Sequence, residues 1–304
     1  MAAPTDVTFI HRLEDFGFAA YMRHFGAMAI DKASAAGADW LVRLGPLTTA
    51  HRTALRNLRL AFPNESEAWR VDVAKAMWAG IGRTVAETPH LPKINAYRPD
   101  SRITVENAER LDAIRESGKG AVFISGHFAN WELMPIAIAQ RPTPCQMTYR
   151  PANNPLIDAR IMAIRANYGA KLQSAKGVEG GVGLIRALKK GWSIALMNDQ
   201  KYNEGIRAPF FGYDCMTADG PTRLARRFNA LLQPMSVKRN GARFHAVVHE
   251  PLPIDADQSD DVALPASIRR INAFMEARIR EAPEQWFWVH NRWPKEAWVE
   301  AGVM

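Results

Sequence analysis

Cysteine is scarce in this chain of 304 residues, which contains only Cys145 and Cys215 and no C-x-x-C pair. That scarcity argues against a disulfide framework and a thiolate metal site, and it favours a reducing compartment. A signal peptide is not expected either, because the N-terminus lacks a basic segment followed by an apolar stretch and a small-residue cleavage site.

Long hydrophobic runs are missing as well. A membrane-spanning helix needs about 20 predominantly apolar residues. The longest candidate, residues 16–47, is interrupted by five charged residues: Arg23, Asp31, Lys32, Asp39 and Arg43. No transmembrane helix is therefore predicted. Apolar residues from Phe16 to Met28 recur at helical spacing, so this helix could lie in a membrane interface or pack on the main domain.

Motifs for metals, nucleotides and nucleic acids are also lacking. The glycine-rich residues 177–183 fit neither G-x-G-x-x-G nor a P-loop. His245 and His249 would share one face of a strand, but no cysteine or carboxylate nearby completes a metal set. The basic residues are dispersed and match no nucleic-acid motif. We therefore expect no metal, no resident cofactor and no nucleic-acid partner.

The chain does have a clear excess of positive charge. Its 39 lysines and arginines outnumber 31 acidic residues, which gives a net charge of +8 and an isoelectric point near 9.6. An acidic partner is expected, such as an anionic lipid, a phosphorylated glycolipid or an acidic carrier protein.

Strand and helix signals alternate from residue 104 onward. Strands are predicted at 121–125, 146–149, 170–173, 193–198, 234–238 and 243–249, with helices at 106–117, 131–140, 155–167, 178–190, 221–229 and 265–280. This alternation predicts an α/β fold with a mainly parallel central sheet flanked by helices. We expect two regions: a helical region over residues 1–100 that could associate with a membrane, and the α/β domain over residues 101–304.

The most informative stretch is residues 120–135. Its apolar run, residues 121–124, lies between Gly120 and Gly126 and reads as a buried strand, and His127, Asn130 and Glu132 follow before a helix. Polar residues at the carboxyl end of a strand lie where open α/β proteins bind ligands.

His127 and Glu132 are five residues apart, so they could meet if His127 lies in the turn and Glu132 in the first helical turn. A carboxylate beside one imidazole nitrogen makes the other a better base. The pattern therefore predicts His127 as general base and Glu132 as its orienting partner. The alternative is a histidine bonded in a turn and a glutamate at a helix N-terminus. Ser125 lies outside a G-x-S-x-G elbow, which makes a serine hydrolase a weak rival.

The stretch His127-Phe-Ala-Asn-Trp-Glu132 resembles the H-x4-D/E motif of glycerolipid acyltransferases, in the form typical of the bacterial lipid A biosynthesis (lauroyl/myristoyl) acyltransferase family. Further segments resemble that family in the same order over about residues 50–293. They are residues 55–63, 149–158, 198–200, 208–212, 220–225 and 283–290. Ordered co-occurrence is more specific than any single motif.

The resemblance implies an O-acyltransferase at the cytoplasmic face of the inner membrane, bound peripherally, with residues 101–304 as its α/β acyltransferase domain. The donor would be acyl-acyl carrier protein or acyl-CoA, and the acceptor an acylated, phosphorylated glucosamine lipid. Asn130, Arg165 and Asp199 are expected to bind substrate, with Arg165 gripping a phosphate and Asp199 pairing with Arg165. Two alternatives stay open: the same fold acting on another lipid, and a catalytically silent membrane-binding protein.

Overall fold

The computed structural model describes residues 7–141, 143–149, 151–169, 172–175 and 178–304. Within the described residues, four α-helices precede the first strand: α1 (Phe9–Gly26), α2 (Ile30–Leu44), α3 (Thr49–Ala61) and α4 (Glu67–Glu87). Short 3₁₀ turns follow α2 at Gly45–Leu47 and α4 at Thr88–Lys93. The helix α4 begins where the Ser66 side chain accepts a hydrogen bond from the backbone N–H of Trp69, which caps its N-terminus.

The rest of the described chain alternates as the pattern predicts. The helices are α5 (Glu109–Ser117), α6 (Leu133–Gln140), α7 (Pro155–Asn167), α8 (Val178–Lys189), α9 (Gly220–Phe228), α10 (Asp260–Glu281) and α11 (Lys295–Glu300). The strands are β1 (Ile103–Glu106), β2 (Ala121–Ser125), β3 (Cys145–Tyr149), β4 (Leu172–Ala175), β5 (Ser193–Met197), β6 (Ile206–Phe210), β7 (Tyr213–Thr217), β8 (Leu231–Asn240) and β9 (Arg243–Val248).

Seven strands of the described chain form one sheet in the order β1-β9-β8-β2-β5-β3-β4. All neighbours are parallel except β8 and β9, which pair antiparallel. The predicted fold class is therefore confirmed. The strand β2 lies in the interior of the sheet and all five of its residues are buried, as its unbroken apolar sequence requires.

The N-terminal helices share the hydrophobic core of the sheet. Leu58 and Met77 from α3 and α4 belong to the same buried cluster as Phe123 and Ile124 of β2. Burying each of these four side chains stabilises the folded state by roughly 1.5–3 kcal/mol. The two predicted regions thus pack together, and the boundary at residue 100 stays a prediction.

Several details differ from the sequence prediction, and one is the strand β1 (Ile103–Glu106), which was not predicted. The hairpin of β6 and β7 was not predicted either. Its backbone is held to α10 by Asn272, whose side chain donates to the Pro209 carbonyl at 2.8 Å. The helix α10 begins at Asp260 rather than at Pro265, because Ala263 and Leu264 are buried and extend its packed face. Of the predicted strand at 170–173, residues 170 and 171 lie outside the described residues.

Among the described helices, none is both long and apolar enough to cross a membrane.

Candidate active site

The site lies in the turn between β2 and α6. After Ser125 the chain passes through Gly126 and reverses at Ala129, whose φ of 45° lies in the left-handed region. That conformation costs a non-glycine residue roughly 1–2 kcal/mol. It is held from both sides: the Ala129 N–H donates to the Gln285 carbonyl at 2.7 Å, and the Thr84 hydroxyl donates to the Ala129 carbonyl at 3.1 Å.

Glycine is required at position 126 by close packing. A Cβ there would lie 2.8 Å from the ring of Phe128 and 3.2 Å from Oδ2 of Asp199. The first contact is shorter than real Cβ atoms allow, so any side chain would force the Phe128 ring or the turn to move.

The parallel register places Asp199 beside His127. Ser125 at the end of β2 is aligned with Met197 at the end of β5, and two residues further on His127 faces Asp199. The backbone N–H of Asn198 donates to the Ser125 carbonyl at 2.8 Å, which extends the pairing past both strands. Both side chains therefore lie at the carboxyl edge of the sheet, where the sequence placed them.

Asp199 is the carboxylate that contacts the histidine. Its Oδ1 lies 2.8 Å from His127 Nδ1, and its Oδ2 accepts from the His127 backbone N–H at 2.7 Å. The indole N–H of Trp286 also donates to Oδ2, at 2.8 Å. The Asp199 side chain is completely buried, and three hydrogen bonds satisfy its two oxygens.

These contacts set the charge of Asp199 and the tautomer of His127. Burial alone would raise the pKa of Asp199, but the neighbouring His127 lowers that pKa below its ordinary value of 3.8. An ionised carboxylate only accepts hydrogen bonds, so Nδ1 of His127 carries the proton. The lone pair of neutral imidazole is then on Nε2, the nitrogen a general base uses.

Glu132 does not make the expected contact with His127. Its Oε1 pairs with Nη2 of Arg165 at 2.5 Å, and its Oε2 accepts from Nε of Arg165 at 3.2 Å and from the Tyr168 hydroxyl at 2.6 Å. Among the described residues, no hydrogen bond joins Glu132 to His127. The prediction that Glu132 orients His127 is corrected, and so is the prediction that Asp199 pairs with Arg165.

Glu132, Arg165 and Tyr168 form the Glu132 cluster, and the protonation states of its members favour the observed hydrogen bonds. Burial alone would lower the pKa of the Arg165 guanidinium, but the charge and hydrogen bonds of Glu132 raise that pKa overall. Burial and the charge of Glu132 both raise the pKa of Tyr168 far above its ordinary value. The arginine therefore stays charged, the tyrosine stays protonated, and both donate to Glu132.

Asn130, expected to bind substrate, lies under the turn instead. Its side chain is fully buried and donates to Oε2 of Glu87 at 2.8 Å. Glu87 is also fully buried and forms an ion pair with Arg239 at 2.6 Å. The structure thus places Asn130 in a buried network that ties the turn to α4 and β8.

A cavity of about 270 Å³ opens beside the Glu132 cluster. His127, Glu132 and Arg165 line it, and the hydroxyl-bearing side chains of the lining are Ser125, Thr148, Tyr149 and Tyr168. Most of the remaining lining is apolar, including Phe123, Met134, Ile138, Met147, Met197 and Met235. The cavity can hold a hydrocarbon chain with its polar end at His127.

Two residues of the site were missed from the sequence. Trp286 is buried, and its indole N–H finds its acceptor in Asp199. The hydroxyl of Tyr168 donates to Glu132. Trp286 lies in the family-like segment 283–290, but that position gave no partner for it, and no segment included Tyr168.

Comparison with known proteins gives a consistent result. The family model described as bacterial lipid A biosynthesis acyltransferase matches residues 15–295. The chain is 28% identical over 253 residues to the lipid A biosynthesis palmitoleoyltransferase of Escherichia coli (strain K12), covering 79% of this chain and 77% of that protein.

Two other proteins of the same strain are similar. The lipid A biosynthesis lauroyltransferase is 28% identical over 247 residues, covering 78% of this chain and 76% of its own length. The lipid A biosynthesis myristoyltransferase is 22% identical over 250 residues, covering 81% and 75%.

Proposed function

Because the chain belongs to the bacterial lipid A biosynthesis acyltransferase family, and is thus an acyltransferase, we propose that it moves a fatty acyl chain from an acyl thioester to a hydroxyl of a lipid A precursor. The observation that carries the proposal is the His127–Asp199 pair at the edge of an apolar cavity. The pair supplies a base, and the cavity beside it supplies a place for an acyl chain.

The reaction is a direct transfer. Nε2 of His127 takes the proton of the acceptor hydroxyl, and the oxygen attacks the thioester carbonyl. When the tetrahedral intermediate collapses, the new C–O bond remains and the C–S bond breaks. The thiolate leaves readily because a thiol has a pKa near 8.5, and it recovers the proton from His127. No metal or resident cofactor takes part in the reaction as written.

Backbone N–H groups hold the negative oxygen in this proposal. In the described part of the chain, the N–H groups of residues 130–132 donate to no other group. They lie between His127 and the first turn of α6, so they are available to an oxyanion formed beside His127.

The donor chain occupies the 270 Å³ cavity in this account. Acyl-acyl carrier protein is the proposed donor, with acyl-CoA as the second choice, since the net charge of +8 suits an acidic carrier. The three relatives above are named for three different acyl chains, so chain length must come from the cavity and not from family membership.

Glu132 and Arg165 take a supporting role. Both line the cavity, and their mutual pairing leaves Arg165 little free charge for a phosphate. We assign them to shaping the polar end of the cavity, where Arg165 can still donate a hydrogen bond to the thioester or to the carrier arm.

Membrane contact is assigned to α1, at the cytoplasmic face of the inner membrane. Phe9, Ile10, Leu13 and Phe16 form an exposed apolar stripe along this helix. The helix is tied to α7, which carries Arg165, by the ion pair between Asp15 and Arg160. An interfacial helix next to the cavity would bring a lipid acceptor to the site.

The membrane assignment is tested by sedimentation with anionic phospholipid vesicles. Leu13→Glu/Phe16→Glu should reduce bound protein at least tenfold. Val262→Glu, which changes an exposed apolar residue on α10, should not. Equal binding of the stripe variant and the wild type would contradict the assignment.

The function is tested by a transfer assay with radiolabelled acyl-acyl carrier protein and a tetra-acylated glucosamine disaccharide lipid. The wild type should form product, and His127→Ala should lower the rate by roughly 10²–10⁴-fold. If product forms only with another lipid, the protein is an acyltransferase with a different acceptor. Vesicle binding without any His127-dependent reaction of the donor would favour the silent membrane-binding protein.

A further inference from the structure

A second cavity of about 220 Å³ lies on another side of His127. One wall is α4, from Ala76 to Arg83, and the other is the segment from Glu284 to Phe287. His127 and Trp131 line both cavities. The rings of His127, Trp131 and Phe287 contact one another at centroid distances of 5.2–5.9 Å, so an aromatic cluster lies where the two cavities meet.

The lining of this cavity is suited to hydrocarbon. Met77, Ile81, Ala129 and Phe287 contribute apolar surface, and so do the small residues of α4.

Its charged groups largely cancel. Arg239 is neutralised by the buried Glu87, and the Gln285 side chain bonds the backbone of Arg239 in both directions, at 2.7 and 3.1 Å. Arg83 and Glu284 remain, and they carry opposite charges. The lining therefore offers no net charge that would select an anion over an apolar chain.

We propose that this second cavity is the subsite for an apolar chain of the acceptor, which brings its hydroxyl to His127 from the side opposite the donor. The inference rests on the proposed function, because it assumes a donor chain in the first cavity. A direct transfer needs both substrates at His127 at once, and two apolar cavities that share this residue allow it. Trp131 keeps the two chains apart.

Gly80 provides a way to fill the subsite without straining the fold. It lies in the interior of α4 and lines the cavity, and the nearest heavy atom to a Cβ built there is the Glu284 carbonyl oxygen at 3.9 Å. Replacing a helical glycine also favours the helix by up to about 1 kcal/mol. Gly80→Leu should therefore fold and occupy the cavity, and Gly80→Ala should occupy less of it.

The first experiment measures KM for each substrate separately. Gly80→Leu should raise KM for the lipid acceptor at least tenfold and Gly80→Ala about twofold, whereas KM for the donor and the slow hydrolysis of donor should not change. Gly181→Leu is the matched control, since Gly181 lies in α8 with nothing within 4 Å of its Cβ position. An unchanged acceptor KM in a folded Gly80→Leu protein, or an equal rise in the donor KM, would overturn the proposal.

A second experiment works without turnover, so failure of the proposed function does not obscure it. A long-chain alkane carrying a diazirine, which has no hydroxyl to accept an acyl group, is irradiated with the protein in the presence of donor, and labelled peptides are mapped by mass spectrometry. Label should fall on residues 76–83 or 284–287 and be lost in Gly80→Leu. Label confined to the first cavity, or no specific label, would overturn the subsite even if transfer occurs.

Discussion

Two carboxylates face the same edge of the sheet, and they do different work. Asp199 is completely buried, bonds His127 and lies at the end of β5. Glu132 is at the N-terminal end of α6, only five residues from His127, yet it pairs with Arg165 and Tyr168 from the far end of α7. Proximity along the chain therefore did not decide which carboxylate serves the histidine. The neighbouring strand did.

The difference has a physical cause. The register of two hydrogen-bonded parallel strands fixes which residues face each other at their ends, and it brings His127 opposite Asp199. Glu132 follows a turn with a left-handed residue, Ala129, which carries the chain past His127. Arg165 on α7 then pairs with the Glu132 carboxylate, so that charge does not need His127 as a partner.

Asp199→Asn should have the largest effect of the carboxylate substitutions. An amide can donate to Nδ1 and so stabilise the wrong tautomer of His127, which removes the base from Nε2. We expect kcat to fall roughly 10²-fold or more, measured by single-turnover acyl transfer. Asp214→Asn, a change of an exposed carboxylate on β7, should leave kcat unchanged. If Asp199→Asn has the same kcat as the wild type, Asp199 does not contribute to catalysis.

Glu132→Gln should act mainly on stability and on the cavity. Removing one partner of a fully buried ion pair costs 3–5 kcal/mol, and because each side chain here is about a fifth exposed we expect about 2 kcal/mol. Urea unfolding measures the change in the free energy of unfolding. The double variant Glu132→Gln/Arg165→Met should recover much of the loss, because no unpaired charge remains. Strictly additive losses would show that the pair is not coupled.

The smallest effect concerns pH. Folding lowers the pKa of Asp199, so its contribution to stability is fully present above its ordinary value of 3.8 and is lost as the pH falls below it. The free energy of unfolding of the wild type relative to Asp199→Asn should decline as the pH falls from 4 to 3. Urea titrations at pH 4, 3.5 and 3 measure it. A difference that grows over this range would contradict the direction of the shift.

The sequence was enough to predict the class of the fold and the edge where the site lies. The buried strand at Ala121–Ser125, the polar residues after it and the strand that ends before Asp199 are readable from local pattern. Strand order is not, because it depends on long-range packing. Asp199 could therefore be placed at the correct edge without being recognised as the neighbour of His127.

Other misses have the same origin. Asn130 is polar and sits in the motif, but its burial follows from Glu87, 43 residues away, which no local pattern connects to it. Trp286 is 87 residues from Asp199. Contacts of this separation depend on the tertiary fold, and a short motif names residues without naming their partners.

Asp199, and not Glu132, sets the tautomer of His127. The most direct test is ¹⁵N NMR of protein labelled in its eight histidines, with the His127 signals identified by their loss in His127→Gln. We expect a protonated Nδ1 and a bare Nε2 in the wild type and in Glu132→Gln, and a change of tautomer in Asp199→Asn. A change in Glu132→Gln with none in Asp199→Asn would contradict it.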